Sequence, residues 1–129
     1  MRFMTLYKPG FEVDTPPTEE EMARVGQLIQ EMAQAGVLIT TDGLQPSSHG
    51  AKVQYRDGDF TVTDGPFAET KELVAGFAIL EVSSKEEAIE WSRRFLAVMG
   101  EGESEIRLMH GEPALASEEY PTARVASQA

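Results

Sequence analysis

Two segments of the sequence become apolar on both faces when they are read as β-strands, and this restricts the fold most. In residues 2–7, Phe3 and Tyr7 alternate with Met4 and Leu6. Residues 74–82 repeat the pattern, with Ala78, Leu80 and Val82 on one face and Phe77 and Ile79 on the other. Such strands need a covering layer on each face. Both are therefore predicted to be central strands of a sheet.

Two amphipathic helices are predicted beside these strands. The first runs from Thr18 to Gly36 and the second from Ser84 to Gly100, and each begins with glutamate three residues after its cap. That spacing is typical of a capping box, and glycine is typical of a helix end. The apolar stripe of the first helix consists of Met22, Val25, Leu28, Ile29 and Met32. That of the second consists of Ala88, Ile89, Phe95, Leu96 and Met99. Both stripes follow helical spacing and predict faces packed on a core.

The middle of the chain carries the pattern of a β-hairpin. Two runs, 51–56 and 59–63, flank Asp57-Gly58, which is a strong signal for a two-residue turn. Such a turn sets Val53 opposite Val62 and Tyr55 opposite Phe60, so apolar residues meet across the ladder. The same register sets Ala51 opposite Asp64 at the open end of the hairpin.

The order of elements predicts the fold. Further strands are expected at residues 37–41 and 103–109, so the chain reads βαβ, hairpin, βαβ. This order is typical of a ferredoxin-like α+β fold, in which two helices cover one face of an antiparallel sheet. The second apolar face then needs another partner. We expect a homodimer packed sheet to sheet.

Composition excludes several classes of function. A chain of 129 residues is the length of one domain. Since it has no cysteine, disulfide scaffolds, zinc ribbons and thiol nucleophiles are excluded. The 11 basic against 22 acidic residues give a net charge of −11, which disfavours a nucleic-acid partner. No apolar run approaches the roughly 20 residues of a membrane span, and the N-terminal stretch is short for a signal peptide. We therefore expect a cytoplasmic protein with no membrane partner.

The hairpin register suggests a pair of candidate catalytic residues. His49 becomes the diagonal neighbour of Asp64 on the same face, within side-chain reach. A carboxylate beside an imidazole fixes its tautomer and stabilises its protonated form, as in general acid–base catalysis. A structural interpretation stands beside this one, because Asp64-Gly65-Pro66 is also the pattern of a tight turn and His49 of a surface histidine.

The polar segments on either side of the hairpin supply candidate ligand-binding residues. These are Ser47, Ser48, Phe67, Glu69 and Lys71. Two histidines and scattered carboxylates form no metal-ligand spacing, so neither a metal site nor a cofactor is expected.

The segment Asp64–Glu72, with the sequence DGPFAETKE, resembles the DGPF-domain branch of the YCII-related proteins. The similarity extends to Val62-Thr63, Gly76-Phe77 and Glu105-Ile106-Arg107. It covers residues 1–110 as one domain and leaves residues 111–129 as a C-terminal extension. The resemblance implies a ferredoxin-like subunit of a dimeric α+β barrel.

For function, the resemblance implies less. Some YCII-like proteins carry a His–Asp pair in a cleft, with the histidine on the first helix, but residues 18–35 contain no histidine here. The motif itself covers Asp64. We expect a homodimer that binds or processes a small molecule near the DGPF loop, with His49 as the base and Asp64 orienting it if the protein is an enzyme. The alternative is a non-catalytic regulatory or interaction module, since the branch is often encoded beside extracytoplasmic-function sigma factors.

Overall fold

The computed structural model describes residues 1–13 and 15–110, and the predicted C-terminal extension at 111–129 lies outside them. The strands are β1 (Arg2–Pro9), β2 (Leu38–Gly43), β3 (Ala51–Arg56), β4 (Asp59–Asp64), β5 (Gly76–Glu81) and β6 (Gly102–Leu108). The helices are α1 (Glu19–Gln34) and α2 (Lys85–Met99). Neither helix of the described residues is long and apolar enough to cross a bilayer.

Four strands form one antiparallel sheet in the order β2-β5-β1-β6. The two strands that are apolar on both faces, β1 and β5, lie at its centre. This arrangement confirms the predicted ferredoxin-like α+β fold. The strand β5 begins later than predicted, because Ala75 still belongs to the incoming loop, where its N–H donates to the Tyr7 carbonyl oxygen at 2.8 Å.

One face of the sheet packs against both helices. Phe3 and Leu80 face each other across β1 and β5, and Leu80 is only 1% exposed. They join Leu28 and Met32 of α1 and Ala88 of α2 in a single buried cluster. The apolar stripes of the two helices therefore do reach the core, although only through part of their length.

The other face of the sheet, here called the open face, is covered by neither helix. Its centre consists of Met4, Leu6, Phe77 and Ile79, which are all half-buried. Ion pairs lie around this centre, with Lys8 Nζ 2.6 Å from Glu105 Oε1 and the N-terminal amine 2.8 Å from Glu81 Oε2. The prediction that the central strands carry a second apolar face is confirmed.

The hairpin β3–β4 forms a separate two-stranded sheet. Its register is the predicted one, with Ala51 opposite Asp64, and its turn residues Asp57 and Gly58 both have positive φ. One face consists of Val53, Tyr55, Phe60 and Val62, which are 63–72% exposed. The apolar pairs meet as the sequence predicts, but the described chain leaves their face exposed.

Candidate functional site

A cleft of about 400 Å³ lies between the two helices and the covered face of the sheet. Most of the side chains around it are apolar. They include Met22, Val25 and Ile29 of α1 and Trp91, Phe95 and Val98 of α2. The volume lies in the range of ordinary small-molecule sites, which are concave and largely apolar with a few polar groups.

The cleft exists because α1 lies against the sheet over only part of its length. Leu28 and Met32 are buried in the core, whereas Met22, at the start of the helix, is 60% exposed. Gly26 lies between them and borders the cleft, and apart from its chain neighbours and the adjacent backbone of α1, no atom lies within 4 Å of the position that a Cβ would occupy there. A glycine inside a helix costs about 0.5–1 kcal/mol relative to alanine. Here it leaves room beside the sheet.

Two buried polar side chains border the inner part of the cleft. Tyr7 packs edge-on against Phe95, and its hydroxyl donates to the Glu101 carbonyl oxygen at 3.3 Å. Burial raises the pKa of Tyr7, so its side chain is a neutral phenol at pH 7. Ser92 is 7% exposed, and its Oγ has no hydrogen-bond partner among the described residues. A buried hydroxyl without a partner costs about 1–3 kcal/mol.

Two exposed acidic residues, Glu21 and Asp42, border the outer part of the cleft, here called its mouth. Asp42 lies opposite Phe77 in the register of β2 and β5, so its carboxylate is on the side of the open face. Glu21 Oε1 accepts the backbone N–H of Thr18 at 2.8 Å. Hydrogen bonds from that N–H and from the Thr18 side chain lower the pKa of Glu21, so its carboxylate is ionised at pH 7. Asp42 Oδ1 accepts the Gly43 N–H at 2.8 Å. The lining residues include no Lys, Arg or His.

The predicted pair His49 and Asp64 lies elsewhere, at the open end of the hairpin. Both side chains are exposed, and the Gly65 N–H donates to the Gly50 carbonyl oxygen at 2.9 Å, which holds this end together. Within residues 1–13 and 15–110 the structure gives no hydrogen bond or ion pair between them. Their catalytic role stays a prediction.

Ser47 is the buried member of the predicted set, and its hydrogen bonds tie three loops together. Its Oγ donates to Glu12 Oε1 at 2.7 Å and accepts the Phe67 N–H at 2.9 Å. Its own N–H donates to Glu12 Oε2 at 2.6 Å. Gly65 packs against the Ser47 carbonyl oxygen so closely that a Cβ there would lie 1.7 Å from it. This cluster of Glu12, Ser47, Gly65 and Phe67 is called the loop knot below.

The remaining predicted ligand-binding residues lie near the knot. Phe67 is half-buried beneath Lys52, whose Nζ lies 4.8 Å from the ring centroid and pairs with Glu72. Ser48 and Glu69 are exposed. Lys71 is also exposed and borders a second depression of about 310 Å³ near the end of β1. That depression has a charged lining, with Lys8 and Glu103 beside Lys71.

The predicted site residues and the large cleft are therefore separate, since none of the seven predicted residues lines the cleft. Sequence reasoning missed the cleft because an apolar stripe on a helix predicts core. Two signals could have revealed it. One is Gly26 inside the stripe of α1, and the other is the polar residues Tyr7 and Ser92 at positions that face inward. No group of three or more metal-ligating side chains occurs within the described residues.

Comparison with known proteins gives a family and similar proteins. The family model of the YCII-related domain matches residues 1–107. An uncharacterised protein of Rhizobium meliloti is 33% identical over 75 residues, which are 58% of this chain and 60% of the relative's length. A solved structure of 5-chloro-2-hydroxyhydroquinone dehydrochlorinase from Burkholderia phenoliruptrix, in complex with 2,5-dihydroxybenzoquinone, has 17% sequence identity and a TM-score of 0.34. That match covers 86% of this chain and 96% of the dehydrochlorinase chain. The DGPF branch stays a prediction from the motif at Asp64–Glu72.

Proposed function

The chain belongs to the YCII-related family, and on that premise we propose that it binds a small molecule in the cleft between its two helices and the sheet. The observation that carries this proposal is the cleft itself. About 400 Å³ of space, walled by aromatic and aliphatic side chains with a few polar groups among them, has the form of a ligand site. The predicted location near the DGPF loop is less favourable, because Ser47 there is engaged in structural hydrogen bonds.

The cleft contains a natural reporter for this proposal. Trp91 is the single tryptophan of the chain and borders the cleft, so its fluorescence should respond to an apolar molecule bound beside it. We expect a saturable change when wild-type protein is titrated with 4-phenylbutan-1-ol, a neutral molecule with an apolar body. A saturable rise in melting temperature should accompany it, since a ligand that binds only the folded state stabilises that state.

A pair of variants on one helix locates the binding. Gly26→Leu places a leucine side chain in the open space of the cleft, and we expect it to abolish the fluorescence change. Ala23→Leu adds a leucine to α1 at an exposed position outside the lining, and it should bind the alcohol as the wild type does. The proposal fails if the wild type shows no saturable change up to the solubility limit, or if Gly26→Leu responds equally.

We also propose a homodimer formed through the open face. Met4, Leu6, Phe77 and Ile79 give that face an apolar centre that neither helix covers, and a second copy of the same sheet offers a matching surface. Sedimentation equilibrium should give the mass of a dimer for the wild type and of a monomer for Ile79→Lys. Gln54→Lys, on the polar face of the hairpin, serves as the control and should remain dimeric. A monomeric wild type at high concentration would disprove this proposal.

Proton transfer by His49 and Asp64 is a separate candidate activity. It is supported by the hairpin register, which keeps residues 51 and 64 opposite each other. If Asp64 orients the imidazole, Asp64→Asn should change the tautomer of His49, as read from its ring ¹⁵N chemical shifts. His110, the other histidine, gives the reference signal. Identical His49 chemical shifts in the wild type and in Asp64→Asn would disprove the hypothesis that Asp64 orients His49. The link to a sigma factor stays a prediction from the resemblance.

A further inference from the structure

We propose that the exposed apolar face of the β3–β4 hairpin packs against a second copy of this chain. This face, called the hairpin face below, consists of Val53, Tyr55, Phe60 and Val62. The inference rests on the proposed homodimer, because it adds a second contact region to the same assembly. Three observations support it: the two-sided pattern of the hairpin, its one-sided support within the described chain, and the area that a stable dimer needs.

The first observation is that the hairpin separates its apolar and polar side chains by face. Val53 lies opposite Val62 and Tyr55 opposite Phe60, so the four side chains share one face. The two rings contact each other, with their centroids 4.7 Å apart. The other face carries the polar and charged residues Lys52, Gln54, Arg56, Asp59, Thr61 and Thr63. This alternation is typical of antiparallel strands that are packed on one side and solvated on the other.

The second observation is that the described chain supports only the polar face of the hairpin. Lys52 pairs with Glu72, and its Nζ lies 4.8 Å from the centroid of the Phe67 ring. The side chains of the hairpin face, in contrast, are 63–72% exposed. Among the described strands and helices, β3 and β4 pack chiefly against each other. Since an isolated two-stranded hairpin is only marginally stable in water, the hairpin face needs a covering layer.

The third observation is the area that the open face offers to a dimer. A specific, stable interface buries about 800 Å² on each partner. The four residues at the centre of the open face are already half-buried within one chain, so they leave little apolar area for a partner. Tyr55 and Phe60 are 67% and 72% exposed, so at about 150–250 Å² for a whole aromatic side chain these two alone present about 200–350 Å². The hairpin face therefore supplies apolar area that the open face lacks.

The chain's own residues 111–129 fit the hairpin face less well than a second copy does. They follow β6, and Leu108 at the end of β6 lies opposite Phe3 at the start of β1. The hairpin leaves the sheet at the other end, where Gly43 lies opposite Gly76. Residues 111–129 also contain three glutamates and a single arginine, so they bring mainly negative charge to an apolar surface.

A second copy is favoured because the hairpin is joined to strands of the proposed interface. Residues 44–50 connect it to the end of β2, and residues 65–75 connect it to the start of β5, which carries Phe77 and Ile79 of the open face. A partner seated on the open face therefore lies beside the strands from which the hairpin extends. In a twofold-symmetric dimer each chain covers the hairpin face of the other in the same way, so neither copy keeps an exposed apolar face.

The absence of cysteine from the chain allows the hairpin face to be tested directly. Val62→Cys places a single thiol on the hairpin face, and Thr61→Cys places one on the polar face of the same strand; both positions are exposed within one chain. At protein concentrations far above the Kd of the dimer, iodoacetamide should alkylate the thiol of Val62→Cys at least about tenfold more slowly than that of Thr61→Cys. On dilution to the monomer, the two rates should converge.

A second pair of variants measures the contribution of the hairpin face to the affinity of the dimer. Phe60→Lys places a charge on the hairpin face, and sedimentation equilibrium should show a Kd of the dimer that is at least about tenfold higher than that of the wild type. Thr61→Lys adds the same charge to the polar face and should change the Kd less than about twofold. Phe60→Leu keeps an apolar side chain and should retain most of the affinity, which separates loss of the contact from loss of the hairpin.

The outcomes separate this inference from the homodimer itself. If the wild type is dimeric and Ile79→Lys monomeric, but both thiols react equally at every concentration, the homodimer stands and the hairpin contact is wrong. If the thiol of Val62→Cys is protected equally at every concentration, its cover belongs to the same chain, and the inference is again overturned. If Ile79→Lys still forms a dimer that protects the thiol, the hairpin contact stands and the open face is not the interface. A monomeric wild type at high concentration would disprove both proposals.

Discussion

The two faces of the four-stranded sheet are built from the same strands, but the helices cover only one of them. On the covered face, Phe3 and Leu80 are enclosed by helices, and the space that remains beside them is the cleft. On the open face, Met4 and Ile79 lie directly next to these residues along the same strands and stay half-buried. Because successive side chains of a strand point to opposite faces, neighbouring residues lie alternately on the covered face and on the open face. The covered face is completed within one chain, and the open face is not.

The largest expected effect lies on the covered face. Leu80→Ala removes the most completely buried large side chain of the described residues, so it should lower the free energy of unfolding by about 2–5 kcal/mol. Urea denaturation measures this loss. Leu108→Ala is the matched control, because Leu108 is 60% exposed, and it should stay within about 0.5 kcal/mol. Equal losses in the two variants would contradict the position of the core.

The second prediction moves one residue along β5 to the open face. In a monomer, Ile79→Ala should cost about 1 kcal/mol, because Ile79 is only half-buried. If a second copy covers this face, the melting temperature of the wild type rises with protein concentration, and that of Ile79→Ala rises less. Differential scanning calorimetry at two concentrations measures both slopes. Parallel slopes would mean that the open face stays exposed in solution.

The third prediction concerns the part of the covered face that borders the cleft and does not belong to the core. Gly26→Ala should raise the free energy of unfolding by about 0.5–1 kcal/mol, because alanine favours the helix and its Cβ meets open space. Chemical denaturation measures the gain. Gly36→Ala is the contrasting change, because Gly36 ends α1 with a φ of 75°, and it should destabilise the protein. Destabilisation by Gly26→Ala would mean that the cleft is narrower than described.

The smallest effect is expected at the charged edge of the open face. A hydrogen bond from Lys8, followed by one from Arg107, lowers the pKa of Glu105, and the same contact raises the pKa of Lys8. A lowered carboxyl pKa stabilises the folded state above the unfolded pKa of about 4.5, and this contribution disappears as pH falls through the folded value. The raised Lys8 pKa acts oppositely, and its contribution disappears above about 10.5.

Thermal unfolding between pH 6 and pH 3 tests this edge. Glu105→Gln should show a smaller decrease in melting temperature over that range than the wild type. Glu90→Gln, which breaks an exposed pair on α2, should follow the wild-type curve. If the melting temperature of Glu105→Gln decreases between pH 6 and pH 3 as much as that of the wild type, the Lys8–Glu105 contact contributes nothing to stability.

The fold could be predicted from the sequence because its signals are local and periodic. The Asp57-Gly58 turn determines the register of the hairpin, and the Thr18 capping box determines the start of α1. The two-sided apolar pattern identifies β1 and β5 as the central strands. Each of these patterns depends on residues within a few positions of one another, and each agrees with the tertiary structure that forms.

The cleft was harder to predict, because it depends on side chains that do not pack against each other. An apolar stripe looks the same whether it packs tightly, as Leu28 does, or borders a space, as Val25 and Ile29 do. The difference arises from the distance between α1 and the sheet, which no local pattern encodes. The hairpin register did place Ala51 opposite Asp64, but a register determines backbone pairing and not side-chain contacts, so the pairing of His49 with Asp64 stays a prediction.

The loop knot has a consequence for mutational studies of the DGPF motif. A side chain of any kind at position 65 would collide with the Ser47 carbonyl oxygen, and Phe67 contributes its backbone N–H to Ser47. Substitutions at Gly65 should therefore act as folding defects, recognisable by low yield and early melting. If such a variant loses activity, the loss reflects misfolding and does not show that the motif is catalytic. The segment by which the chain is most easily recognised is, on this structure, a marker of architecture.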